Sequence, residues 1–289
     1  MADYRIFTDS GSDIGAELLK AWEVTSLSLT FRFDGEDKEY SNNEMDIKTF
    51  YDKMREGGVA KTAAVNIGAF TLEFRKCLES GMDILYIGFS SGLSTTFNSA
   101  RIAAENLKSE FPDRKILVID SLCASAGQGL IVYLANEKRK SGASIEEAYE
   151  YTKSLVPSIC HWFTVDDLVY LKRGGRVSAV AALVGGVLGI KPVLHVDDEG
   201  HLINVNKVRG RKTAINALAD KYGELALNPK EGPIFISQAD CLRDAEELAS
   251  ILKSKYGAPD VQVITDVGTV IGAHSGPGTL ALFFLGKNR

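Results

Sequence analysis

The chain has 289 residues, 45% of them hydrophobic and 25% charged, with a net charge of −5. That balance suits a globular protein of one large or two ordinary domains, and it offers no general attraction to nucleic acid. Four cysteines, Cys77, Cys123, Cys160 and Cys241, lie far apart without a C-x-x-C pair, which argues against a disulfide framework or a cysteine zinc site. The start, MADYRIFTDS, lacks the basic and apolar regions of a signal peptide. The longest apolar stretch, 179–190, is too short to cross a bilayer and carries Gly185, Gly186 and Gly189. A cytoplasmic protein that does not span a membrane is the expectation.

Taken in chain order, 4–8 reads as a strand ending in Asp9-Ser10, followed by a short helix over 16–22. Residues 24–33 look like one extended segment and 34–43 like a polar turn region. Asp46 caps an amphipathic helix with Ile47, Phe50, Tyr51 and Met54 on one face. Residues 61–66 read as a loop, and Asn66 caps a helix over 67–78. An apolar run over 84–89 fits a buried strand, and the hydroxyl-rich turn after it hands over to a helix carrying Phe97, Ala100, Ala103, Ala104 and Leu107. Another strand, 115–119, ends in Asp120-Ser121, repeating the Asp-Ser exit of the first. Helices over 124–140 and, capped by Ser144, up to 155 complete this half. Strands alternating with helices imply a parallel, helix-flanked sheet.

The pattern changes after Pro157. Residues 159–165 read as a strand, Asp166-Asp167 start a short helix, and Ser178 caps an apolar helix over 179–188. Segments 191–196 and 201–208 flank Asp197-Asp198-Glu199-Gly200 as a β-hairpin. A helix over 212–222, a strand over 234–237, a helix over 242–256 and a strand over 261–265 follow. The hairpin points to a mixed or antiparallel sheet. The expected organisation is therefore α/β in two domains, 1–156 and 157–289, with a cleft between them.

Three stretches carry chemistry. In SSGLSTT, Ser90, Ser91, Ser94, Thr95 and Thr96 crowd where a strand meets a helix, and a helix start can receive an anionic group. The turn holds no Lys or Arg. Hydroxyls and amides alone suit a carboxylate better than a polyphosphate, and the plain alternative is a serine N-cap. In LKRGGRVSAV, Lys172, Arg173 and Arg176 surround two glycines, either to bind phosphate or to oppose a helix dipole. A second basic set, Lys207, Arg209, Arg211 and Lys212, follows the hairpin. In IGAHSGPGTLALFF, His274 sits among apolar residues, as an anion donor or as a buried structural histidine. No P-loop, H-E-x-x-H, G-x-S-x-G or dinucleotide fingerprint is present.

With these motifs on the page, the chain resembles the DegV family almost end to end. The segments FTDSGSDI, KTAAVN, SSGLSTTFNSA, VIDSLCASAGQG, VDDLVYLKRGGRVS, IKPVLHVDDEG, KVRGRK and IGAHSGPGTLALFF occur in order. The resemblance implies two α/β domains holding a long-chain fatty acid in an apolar tunnel, with no metal or nucleotide. It implies that Thr62 and Ser94 hold the carboxylate with His274 nearby. It also implies presentation of the acid to a fatty-acid kinase that makes an acyl phosphate, with Arg173 and Arg209 near the mouth for phosphate or partner. Transient membrane contact is compatible with this picture. The family usually shows Thr-Ser-Gln-Pro where this chain has Thr62-Ala63-Ala64-Val65, so one hydroxyl is missing at the head-group loop. Helix 179–188, rich in small residues, could wall the tunnel without filling it, the plain alternative being that its glycines permit close helix–sheet packing.

The competing reading is a phosphotransferase-like enzyme that uses the basic loops with Asp9 or Asp120 on a small phosphorylated or hydroxylated substrate. It lacks a nucleotide cradle and an acidic pair spaced to hold magnesium.

Overall fold

The structure, a computed structural model, describes residues 4–176 and 189–289. Strands β1 (Tyr4–Asp9), β2 (Val24–Leu27), β6 (Asp83–Gly88) and β7 (Ile116–Asp120) form an all-parallel sheet in the order β2-β1-β6-β7. Its strands are apolar on both faces. Ile6, Leu85 and Ile87 point to one side, while Phe7, Ile84 and Tyr86 point to the other. Both sides are therefore covered, as a parallel sheet requires. Helices α3 (Ile67–Glu79) and α4 (Thr96–Lys108) cover one face. Helices α5 (Ala126–Lys140) and α6 (Ile145–Leu155) cover the other.

A six-stranded mixed sheet occupies the second half. Its order is β10 (Leu202–Arg209), β9 (Ile190–Val196), β8 (Ile159–Thr164), β13 (Leu280–Leu285), β11 (Ile234–Gln238) and β12 (Val263–Asp266). Every pairing is antiparallel except β11 with β12. One face packs on α8 (Arg211–Leu225) and α9 (Leu242–Tyr256). The opposite face, with Phe163, Leu194, Phe235 and Phe283, packs with α5. Helix α5 is thus a layer shared by the two sheets, and Gly127, Leu130, Ile131, Val132 and Ala135 within it are all buried.

Local signals explain most boundaries. The Asp46 carboxylate accepts the Thr49 amide and starts α2 (Ile47–Arg55), and Asn66 accepts the Ala69 amide to start α3. Ser144 and Glu147 form a reciprocal capping box on α6. The hairpin β9–β10 turns at Asp197, whose Oδ1 accepts the amides of Glu199 and His201, with Gly200 at φ 78°.

Two expectations need correction. Segment 24–33 is two strands in different sheets: β2 joins the parallel sheet, and β3 (Thr30–Phe33) pairs with β4 (Tyr40–Ser41) and β5 (Ala60–Ala63) in a third, antiparallel sheet. In β3 the period of two sends Phe31 and Phe33 inward against Phe50 while Arg32 faces out. The expected loop over 61–66 begins with β5. Its sequence, AKTA, has no apolar run, and it is a strand because β3 supplies its ladder partner. The expected helix over 179–188 and its cap Ser178 lie outside the described residues.

Candidate functional site

A cavity of about 490 Å³ lies where the three sheets converge. Its apolar wall comes from the mixed sheet through Phe163, Val196, Ala281 and Phe283, with Leu29 and Phe89 closing in from the first half. Thr62, Ser94 and His274, the three residues expected at a carboxylate, all line it.

Thr62 is brought there by β5, where it sits opposite Phe31. His274 is on α10 (Thr269–Ser275). The two are hydrogen-bonded, Thr62 Oγ1 to His274 Nε2, at 2.8 Å. His274 Nδ1 is buried with no partner among the described residues. It lies against Gly174, where a Cβ would come within 2.2 Å of it. A proton on Nδ1 would bury an unpaired donor, so the favoured tautomer carries it on Nε2 and donates to Thr62. The Thr62 hydroxyl then keeps its own proton for a ligand oxygen. Burial and the nearby Arg176 cation push the His274 imidazole down to about 4, so it is neutral at pH 7. The ring orients Thr62 without adding a charge.

Ser94 sits in the turn between β6 and α4. Its Oγ accepts the Thr96 amide at 3.2 Å and shares a hydrogen bond with Thr96 Oγ1 at 2.9 Å. Ser94 thus lies one position before Thr95, the N-cap of α4, and takes the amide of the first helical residue; a hydroxyl that accepts from Thr96 retains a proton to give to an anion. The turn is fixed from outside by the hairpin tip. Ser90 Oγ donates to Gly200 O at 2.9 Å, and a Cβ on Gly92 would meet Glu199 O at 2.9 Å.

Arg176 also lines the cavity, held by Nε to Leu93 O at 3.3 Å and by a guanidinium NH to Gly174 O at 2.6 Å. A second cavity, about 300 Å³, adjoins the first at Thr62, His274 and Arg176, and Arg173 and Lys61 line it. Arg173 stacks over the Tyr170 ring with its guanidinium 5.9 Å from the centroid. Arg209 is elsewhere. It is exposed on the edge strand β10, opposite Ile190, and lines neither cavity. Arg211 is tied to Asp244 at 2.7 Å.

The two Asp-Ser exits lie at the same, C-terminal end of the parallel sheet, but their carboxylates work within the fold. Asp9 accepts Tyr86 Oη at 2.6 Å, Phe89 N at 2.9 Å and Gly11 N at 3.0 Å. Asp120 accepts the amides of Ser91 and Leu122. No group of three or more His, Cys, Asp or Glu side chains among the described residues is placed to hold a metal ion. The sequence reading missed a buried polar cluster of Asp13, Ser125 and Ser237 at the cavity's edge. Each step of it spans 112 residues, so no local spacing announces it.

A family model described as "uncharacterised protein, DegV family" matches residues 3–287. The chain belongs to the DegV family. A DegV domain-containing protein of Clostridium perfringens is 42% identical over 292 residues, covering 100% of this chain and 99% of that one. Among solved DegV structures, a lipid-binding protein of Thermotoga maritima is 30% identical with a TM-score of 0.86, covering 100% of both chains. A fatty-acid-binding DegV protein of Thermus thermophilus is 28% identical with a TM-score of 0.89, covering 98% of this chain and 99% of that chain. The two-domain α/β architecture is thus that of the DegV structures. No described helix of this family member is long and apolar enough to cross a membrane.

Proposed function

We propose that this protein binds a long-chain fatty acid in the 490 Å³ cavity, with the carboxylate held by the hydroxyls of Thr62 and Ser94. The observation that carries the reading is the Thr62–His274 pair at the rim of an apolar cavity. It offers a neutral, pre-oriented donor beside a second hydroxyl, and such a pocket suits an amphipathic ligand with one anionic end. Each buried methylene contributes about 0.8 kcal/mol, so the hydrocarbon supplies the affinity and the hydroxyls set which end points outward. The fatty-acid binding of the Thermus thermophilus relative supports this. Residues 1–156 then supply the head-group hydroxyls, and 157–289 supply His274, the basic loops and most of the hydrocarbon wall.

In the same reading the protein is a non-catalytic, cytoplasmic carrier that presents the carboxylate to a fatty-acid kinase for acyl-phosphate formation. Arg173, beside Thr62 and His274 in the second cavity, would meet the phosphoryl group. Arg209, exposed on the edge strand, would face the partner. The phosphotransferase reading gains nothing from Asp9, whose two oxygens are engaged by the protein's own amides and a phenol, while Asp120 commits its Oδ1 to the amides of Ser91 and Leu122.

Mass spectrometry of the denatured, purified protein tests the reading. A co-purifying long-chain fatty acid is the expected result. A nucleotide or sugar phosphate in its place, or a lipid-free protein that does not take up a labelled fatty acid, would overturn it.

A further inference from the structure

The cavity lining holds further polar groups besides Thr62 and Ser94, and the head-group chemistry does not use them. Ser125 lies where β7 hands over to α5, at φ 55° and ψ −148°, a conformation that L-residues rarely adopt. It occupies the N-cap position of α5, yet its side chain caps nothing. The hydroxyl instead reaches Asp13 Oδ2 and, at 2.9 Å, Ser237 Oγ. Asp13 Oδ1 in turn accepts the Gly268 amide at 3.0 Å. All three side chains are buried, and both serines line the cavity.

Counting protons shows what this chain offers. Ser125 has one hydroxyl proton and two neighbours that can accept it. With Asp13 ionised, Ser125 donates to Asp13 and Ser237 donates to Ser125. With Asp13 protonated, both bonds reverse. In either case Ser237 keeps hydrogen-bonding capacity that no described side chain uses: lone pairs in the first arrangement, its proton in the second. Burial pushes the Asp13 carboxyl up to about 7, so both arrangements are populated near neutral pH. Ser237 sits in a row across the sheet with Ala281 and Phe163. Ala281, Phe163 and Phe283 line the cavity beside Ser237.

We propose that Ser237, backed by Ser125 and Asp13, is a polar subsite for a hydroxyl group carried on the hydrocarbon chain of the bound lipid. A methylene cannot pair with Ser237. A ketone or ether oxygen pairs with it in only one of the two arrangements. A hydroxyl, donor and acceptor at once, pairs in both. The proposal rests on the fatty-acid reading above and adds to it a preference for a monohydroxylated acyl chain with its substituent at one depth.

The test is equilibrium competition among octadecanoic acid and its positional monohydroxy isomers, with the wild-type protein and Ser237→Ala. One isomer, or a narrow run of adjacent ones, should bind the wild type at least about fivefold more tightly than the parent acid. In Ser237→Ala that isomer should fall to the parent's level while the parent's own affinity is kept. If the alanine variant loses the parent acid, Ser237→Cys, similar in size and a weak hydrogen-bonding partner, should show the same loss of preference. A wild type that binds the parent and ranks every isomer equal to it or below overturns the subsite and leaves the fatty-acid reading standing. A preference that survives both substitutions also overturns the subsite. Failure of the parent acid itself to bind the wild type overturns both.

Discussion

β1 and β6 lie side by side in the parallel sheet, and each ends in a turn crowded with hydroxyl groups. The two turns use them differently. At the β1 exit, Asp9 collects a phenol and two amides, Ser10 Oγ accepts the Leu29 amide, and Asp13 fastens Gly268 and Ser125. At the β6 exit, Ser90 is tied to the hairpin, but Ser91 is exposed and Ser94, whose hydroxyl among the described residues meets only Thr96, borders the cavity. Similar residues hold the fold together in one turn and stand open to a ligand in the other. The difference lies in what surrounds each turn, not in how many hydroxyls it contains.

The sharpest way to break this comparison is Asp9→Ala. It strands Tyr86 Oη and the amides of Phe89 and Gly11, each at about 1–3 kcal/mol, so urea unfolding should show a loss of about 3–5 kcal/mol. A variant of near-native stability would mean that the β1 turn is not structural.

Asp13 gives the same turn a pH signature. Burial lifts its carboxyl from the ordinary aspartate range to about 7. Between about pH 4 and pH 7 the folded chain therefore keeps a proton that the unfolded chain has released. Stability should fall as pH rises through that window, by at most about 1.4 kcal/mol per pH unit. Asp13→Asn should flatten the slope without abolishing it, because burial raises Asp9 in the same direction. Parallel slopes for wild type and variant, from urea midpoints at pH 5 and 7, would contradict the assignment.

At the β6 turn the effect should move from folding to binding. Ser94→Ala should keep the fold intact, at the modest cost of the Thr96 amide's acceptor, and weaken fatty-acid binding by about 1.5–3 kcal/mol, the worth of a hydrogen bond to a charged group. Unchanged affinity for a labelled fatty acid would remove Ser94 from the head-group site.

Arg173→Ala and Arg209→Ala extend the contrast to the surface. Fatty-acid affinity should stay within about 0.5 kcal/mol, while acyl-phosphate formation with a cognate kinase should fall more than about tenfold, or about 1.4 kcal/mol. Full turnover with both variants would make the basic loops solvated surface. The smallest expected effect is a gain. Ala63→Ser, at the cavity rim, should tighten binding by about 0.5–1.5 kcal/mol. No gain would mean that Thr62 and Ser94 already satisfy the carboxylate.

Much of this was legible in the sequence because it is local. Asp46, Asn66 and Ser144 mark helix starts through side chains three residues from their targets, and the hairpin 190–209 declares itself through Asp197 to Gly200. The hydroxyl turn after β6 is a continuous run, so Ser94 could be singled out. His274 could be singled out in its own stretch, but Thr62, and the pairing of the two, were reached only through the family resemblance, because 212 residues separate them. The strand that carries Thr62 was hidden, since AKTA owes its conformation to β3. The Asp13–Ser125–Ser237 chain had no local signal: Asp13 and Ser125 lie in segments that carry the resemblance, but no spacing ties them to each other or to Ser237 until the fold stacks them.

The position of β13 has a consequence for how the molecule comes into being. This strand sits in the middle of the six-stranded sheet, between β8 and β11. Until residues 280–285 are in place, that sheet exists only as two disconnected pieces, β8-β9-β10 and β11-β12. The same strand contributes Ala281 and Phe283 to the cavity. A nascent chain on the ribosome can assemble its parallel sheet early from neighbouring segments, but its second sheet closes by a late, long-range insertion. Ligand capture therefore waits for β13: a chain synthesised only as far as β12 has neither the finished sheet nor the finished wall against which a lipid could lie.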